Sequence, residues 1–190
     1  ALEELAGEAK TDDLLVLFFS GHGDFVGADT KKNTKAGGTF VFCCPEYDQE
    51  KYATTGIPTK ELVEKLSAIP CRKLILLDAC RSGQAATGNL TREMVPGGLG
   101  MTIITACDEG ELAYESNELK QGLFTHAVLE ALGPKLGIAD AQGDKNKQLD
   151  HNELYWYVRN RMETLRKETG KPAQSPQCFP AEPERIPIAR

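Results

Sequence analysis

Two apolar stretches set the first constraint on this chain: residues 14–19, all Leu, Val or Phe, and residues 73–77, where Lys73 opens a run of Leu and Ile. Neither shows the polar alternation of a half-solvated strand. Uninterrupted runs of this length fit strands buried on both faces of a parallel sheet, and such strands need helices on either side. Each run leads directly into a glycine-bounded motif, Ser20-Gly21-His22-Gly23 after the first and Asp78-Ala79-Cys80-Arg81-Ser82-Gly83 after the second. In open α/β sheets, ligands gather just beyond the carboxyl ends of the strands. An imidazole and a thiol are thus expected side by side at one end of the sheet.

The rest of the chain supplies the helices. Residues 1–10 read as the end of a helix, and residues 21–38 as a polar loop rich in Gly and Lys. A strand pattern resumes at residues 39–44. Pro58 and Thr59 open a helix whose apolar face is Leu62, Val63, Leu66 and Ile69. After the second strand comes a polar loop over residues 82–100, then a short apolar run at 101–106. Residues 122–132 carry Phe124, Ala127, Val128, Ala131 and Leu132 at helical spacing. From Asp150 a longer helix is marked by Leu154, Val158, Met162 and Leu165, ending before Gly170 and Pro172. Residues 172–190, with five prolines, read as an extended tail on a single domain spanning 1–190. Strands separated by helix-length segments give a mostly parallel sheet covered by helices.

The composition excludes several classes. A chain of 190 residues, 41% hydrophobic, is long enough for one domain with a substantial core. With a net charge of -6 and its 22 Lys and Arg scattered, no basic surface for nucleic acid is expected. No run approaches the roughly 18 apolar residues of a membrane span, and no leader is visible in a chain that opens on Ala1; the expected setting is cytoplasmic, with no membrane contact. Several of the six cysteines lie in apolar, strand-like surroundings and none has zinc-ligand spacing, so reduced thiols are expected and no metal is assigned to them.

A neutral-pH thiol is mostly protonated, and an adjacent imidazole raises its reactivity by accepting that proton. His22 and Cys80 form such a pair. The flanking glycines let substrate approach the backbone, and the N–H groups of Gly23 and Cys80 are candidates to stabilise an oxyanion. Taken singly, His22 reads equally as a turn residue and Cys80 as a buried thiol.

The His-Gly pair after one hydrophobic strand and Asp78-Ala79-Cys80-Arg81-Ser82-Gly83 after another resemble the caspase-like cysteine peptidases, of the bacterial caspase-like and metacaspase branch. Gly122-Leu123-Phe124-Thr125 and the Gln174–Gln177 stretch resemble later landmarks of the same domains. The resemblance implies a three-layer αβα sandwich, with His22 as general base, Cys80 as nucleophile and no third catalytic carboxylate. No cofactor is required. Such domains also begin with a strand, a helix and a strand that this chain lacks, which implies an upstream fragment or regulatory domain as a partner.

Caspases carry Gln two residues before the cysteine, where it helps bind a substrate aspartate. Here that position is Asp78, and an acid in a partly desolvated cleft repels an acidic side chain and favours Arg or Lys. Glu115 resembles the pocket acid of arginine-cutting paracaspases, and Ser20 a pocket-lining position of metacaspases. The expected substrates are proteins or peptides with a basic residue before the cut (P1). Taken without the resemblance, Asp78 is a turn residue or helix cap and Glu115 a solvated surface acid. Arg92 matches a basic self-cleavage site in the loop after Cys80, against the plainer reading of an uncut surface loop. Asp140, Asp144, Asn146, Asp150 and Glu153 resemble an EF-hand calcium loop, but Lys147 occupies the place of its turn glycine. A solvated loop with a helix cap fits that spacing better, and calcium-dependent metacaspases leave a Ca2+ requirement open. Two other functions remain: a catalytically silent binding module and an aspartate-directed caspase.

Overall fold

The computed structural model describes residues 1–26, 39–79, 100–108, 111–133, 143–179 and 186–189. Its main sheet is built on the two apolar runs. Strand β1 (Leu14–Gly21) pairs in parallel with β5 (Arg72–Ala79), and β5 in parallel with β6 (Met101–Thr105). A short strand, β10 (Gln177–Phe179), closes the far side antiparallel to β6, giving the order β1-β5-β6-β10. The sheet is therefore mixed. β5 is central and buried from Lys73 to Ala79, which is why its sequence carries no alternation.

Helices cover both faces. Leu15, Leu17, Phe19, Ile75, Leu77 and Ile103 face a layer formed by α1 (Leu2–Glu8), α3 (Thr59–Ser67) and a small sheet. Leu74, Leu76 and Ile104 face α4 (Leu123–Ala131) and α5 (His151–Thr169). With a short helix, α2 (Tyr52–Thr55), five helices among the described residues flank the sheet in the three-layer αβα arrangement implied by the resemblance. Among the described residues no strand lies outside β1, and Val16 and Phe18 are exposed on its uncovered face. Lys73 is buried at the opposite end of β5, where its ammonium donates to the carbonyls of Ile69 (2.7 Å) and Cys71 (2.8 Å). Those carbonyls follow the end of α3, where partners from the helix itself run out.

Three sequence expectations are corrected. The first apolar run is not buried on both faces, since Val16 and Phe18 lie on a face of β1 that no described element covers. The segment after the first apolar run does not go straight into a loop: β1 continues to Gly21, and β2 (Gly23–Val26) pairs antiparallel with β3 (Thr39–Cys43), which pairs with β4 (Gly56–Pro58). The tail is not merely extended. It supplies β10 to the main sheet and β11 (Pro187–Ala189) to β9 (Leu149–Asp150), where the Ile186 N–H donates to His151 Nδ1 at 2.8 Å.

Candidate functional site

His22 is the single residue between β1 and β2. Two contacts fix that link: Phe19 of β1 meets Phe42 of β3 edge-on at 4.7 Å between ring centres, and the Cys43 N–H donates to the His22 carbonyl at 2.9 Å. By the alternation of an antiparallel ladder, Gly23 then takes a non-bonded place opposite Phe42, so β3 makes no use of its N–H. The imidazole of His22 is exposed and lines a cleft at the carboxyl end of β1.

That cleft, about 320 Å³, is lined by Ser20, Gly21, His22, Asp78, Ala113, Tyr114, Glu115 and Gly122. It brings together four of the residues singled out from sequence. Ser20 and Asp78 are direct partners in the β1–β5 register, and Gly21 partners Ala79. Cys80 follows Ala79 by one peptide bond; it, Arg92 and Asp140 lie outside the described residues.

Asp78 continues the face of β5 that carries Leu74 and Leu76, which points it at the start of α4. Only 5% of it is exposed. Its Oδ2 accepts the Thr125 N–H at 3.1 Å and the Thr125 hydroxyl as well. Thr125 belongs to the first turn of α4, where N–H groups lack helical partners, and the N-cap residue, Gly122, has no side chain to satisfy them. Asp78 therefore caps a helix, as the plainer reading of it had it, while also lining the cleft. A Cβ on Gly122 would run into the Asp78 carboxylate, so glycine is required there by close approach. Burial pushes the Asp78 carboxyl above its ordinary value; the two Thr125 hydrogen bonds oppose this, and the nearby Glu115 charge adds to it.

Glu115 is exposed, on a hairpin in which β7 (Glu115–Ser116) pairs with β8 (Gln121–Gly122) and Glu115 sits opposite Gly122. The two acids thus share the cleft, with Gly122 beside both. The wall leading to Glu115 is braced from the tail. Gln174, itself buried, accepts the Tyr114 N–H at 3.0 Å, while Glu111 accepts the N–H (2.7 Å) and hydroxyl (3.0 Å) of Ser175. The Cys107 sulfur, buried behind the strand ends, lies 3.5 Å from the Ala79 carbonyl and 3.6 Å from that of Glu111. The Gly122–Thr125 and Gln174–Gln177 landmarks now have physical roles, seating one acid and steadying the loop that carries the other. Sequence reading assigned none, because each contact joins segments far apart in the chain.

The other acidic cluster is separate. Asp150 and Glu153 form a reciprocal capping box at the start of α5, and Glu153 Oε1 also accepts the Asp144 N–H at 3.0 Å. Asp144 and Asn146 accept backbone N–H groups two residues on. These oxygens serve backbone donors in a loop with a helix cap, and among the described residues no group of three or more His, Cys, Asp or Glu is placed to hold a metal ion. No described helix is long and apolar enough to cross a membrane.

A family model described as a caspase domain matches residues 1–185. No curated protein matches the chain.

Proposed function

The chain belongs to the caspase family of cysteine peptidases, and from that premise we propose that it is an endopeptidase that cuts proteins after arginine, and second after lysine, with His22 and Cys80 as its dyad. One observation carries the specificity. Asp78 and Glu115 line the same cleft, and among its described lining residues there is neither Lys nor Arg. Two carboxylates without a fixed counter-charge make a site completed by a cation from the substrate. A guanidinium, with donors spread over a planar fork, can serve both acids; an ammonium is a single point of charge. An aspartate at P1 would add a third negative charge to a partly desolvated space.

For the chemistry, the register supports placing the dyad together: Gly21 pairs with Ala79, and His22 and Cys80 are the residues that follow them in the sequence. His22 takes the proton from the Cys80 thiol as sulfur attacks the carbonyl carbon of the P1 residue. The N–H groups of Gly23 and Cys80 hold the resulting oxyanion; one such donor contributes on the order of a hundredfold or more in rate. The imidazolium then gives its proton to the departing amine, leaving an acyl-enzyme. Water, deprotonated by the same imidazole, attacks the thioester and releases the acid, and the thiol regains its proton.

The test is a panel of fluorogenic peptides differing only at P1 (Arg, Lys, Gln, Asp), run on the chain and on Cys80→Ala, with and without chelator. The expected order is Arg, then Lys, with Asp uncut and all turnover lost in Cys80→Ala. Preferential cleavage after Asp would overturn the specificity. Proteolysis unchanged by loss of the thiol, or absent throughout, would favour the silent binding module. A loss of activity in chelator would add the calcium requirement that the described residues do not supply.

A further inference from the structure

Thr125 does not line the cleft, yet it is the residue that holds the cleft's buried acid. Its backbone N–H and its hydroxyl both donate to Asp78 Oδ2, and it is this same oxygen that lies closest to Gly122, where no Cβ fits. An sp² oxygen has two lone pairs, and both on Oδ2 are then occupied. Only Oδ1 remains for a ligand. We propose that Thr125 is the positioning residue of the specificity cleft, fixing one oxygen of Asp78 so that the other is presented to the cation of the substrate's P1 side chain. This rests on the basic-P1 reading above and adds the device by which the acid is aimed.

The arrangement has a second effect. Hydrogen bonds to an ionised carboxylate favour its charged form, and here they act against burial and against Glu115. Among the described residues, the ionisable groups that line the cleft with Asp78 are Tyr114 and Glu115 on the hairpin wall and His22 at the end of β1. Removing the hydroxyl while keeping the backbone N–H should therefore loosen Asp78 and let it protonate at higher pH. Neither change should touch the thiol chemistry.

The experiment compares the full chain with Thr125→Val and Thr125→Ser on a peptide pair with Arg or the neutral isostere citrulline at P1. It measures kcat and KM for each, the pH dependence of kcat/KM, and the rate of Cys80 alkylation by iodoacetamide. A hydrogen bond to a charged group is strong enough for its loss to show as about a tenfold change. Thr125→Val is expected to raise KM for the Arg peptide about tenfold with kcat within about twofold, and to cut the Arg/citrulline ratio by the same factor. Its acid limb should move to higher pH, the alkylation rate should stay the same, and Thr125→Ser should recover the wild-type ratio. A Val variant that keeps the wild-type ratio and acid limb overturns the proposal and leaves Thr125 as a helix-capping contact alone. If the wild type does not discriminate Arg from citrulline, the basic-P1 reading itself has failed. Should Thr125→Val not fold, Thr125→Ala takes its place; should neither fold, the proposal fails, because the contact then serves the fold before the cleft.

Discussion

Replacing Asp78 by Asn separates its two duties, since an amide oxygen can still accept both Thr125 donors but carries no charge. Neutralising a buried partner of a ligand charge costs about 2–5 kcal/mol, and because Glu115 stays in the cleft the lower part of that range applies. The expected loss in kcat/KM for an Arg peptide is roughly 30- to 300-fold, with citrulline or Gln peptides changed only a few-fold. Stability should move little. The variant gives up charge-assisted bonds from Thr125 but no longer buries a carboxylate, and these oppose each other to within about 1 kcal/mol, or about 2–4 °C in Tm for a chain of this size. The pH dependence has a definite sign. The folded-state pKa of Asp78 is raised above its ordinary 3.8, so ionising it in place disfavours the fold. That penalty is absent at pH below the unfolded value and grows as pH rises through the folded one. Stability of Asp78→Asn relative to wild type should therefore improve from about pH 4 upward, and the acid limb of kcat/KM for the Arg peptide, above the usual carboxylate range in wild type, should flatten. Calorimetry across pH, with paired-peptide kinetics, reads both effects. An undiminished preference for Arg would refute the role of Asp78 in selecting a basic P1 residue. A large fall in Tm with all substrates equally impaired would show that its charge serves the helix alone.

Two further substitutions probe the surroundings. Gly122→Ala places a methyl where the Asp78 carboxylate lies, and overpacking of this kind should cost about 1–3 kcal/mol in thermal unfolding and weaken Arg-peptide turnover more than Cys80 alkylation. Lys73→Met removes the donor to the Ile69 and Cys71 carbonyls and should destabilise by about 1–3 kcal/mol in urea unfolding. Burial lowers the Lys73 pKa, so wild-type stability should gain, relative to Met, as pH rises from the lowered folded value towards 10.5; a difference independent of pH would refute the buried-ammonium account.

What could be read from sequence follows how local each signal was. β5 was visible because a strand covered on both faces leaves an unbroken apolar run, β1 because its run is equally apolar although Val16 and Phe18 are exposed, and α5 because its 3.6-residue stripe starts at its own cap, Asp150. The same cap produced the calcium resemblance, since carboxylates three residues apart satisfy a helix start as readily as the end of an ion loop. β2 was hidden by its setting between glycines in a polar stretch. β10 has three residues flanked by prolines, too few to show a period, and proline is tolerated beside an edge strand. The cleft was legible as far as Ser20, His22 and Asp78, which follow apolar runs directly, and as Glu115 through resemblance. The clasp of Thr125 and Gly122 on Asp78 was not: it links the end of a strand to the start of a helix, and no spacing along the chain encodes it.

The late arrival of β10 orders how this molecule comes into being. Synthesis proceeds at about 5–20 residues per second, so His22 leaves the ribosome well before residues 174–179. Until those residues exist, β6 has an open edge, Tyr114 lacks its Gln174 acceptor and Glu111 lacks Ser175. The nascent chain thus carries His22 before it can brace the wall that leads to Glu115. On the proposed reading, the closing of this sheet edge and the bracing of the cleft wall become a single event.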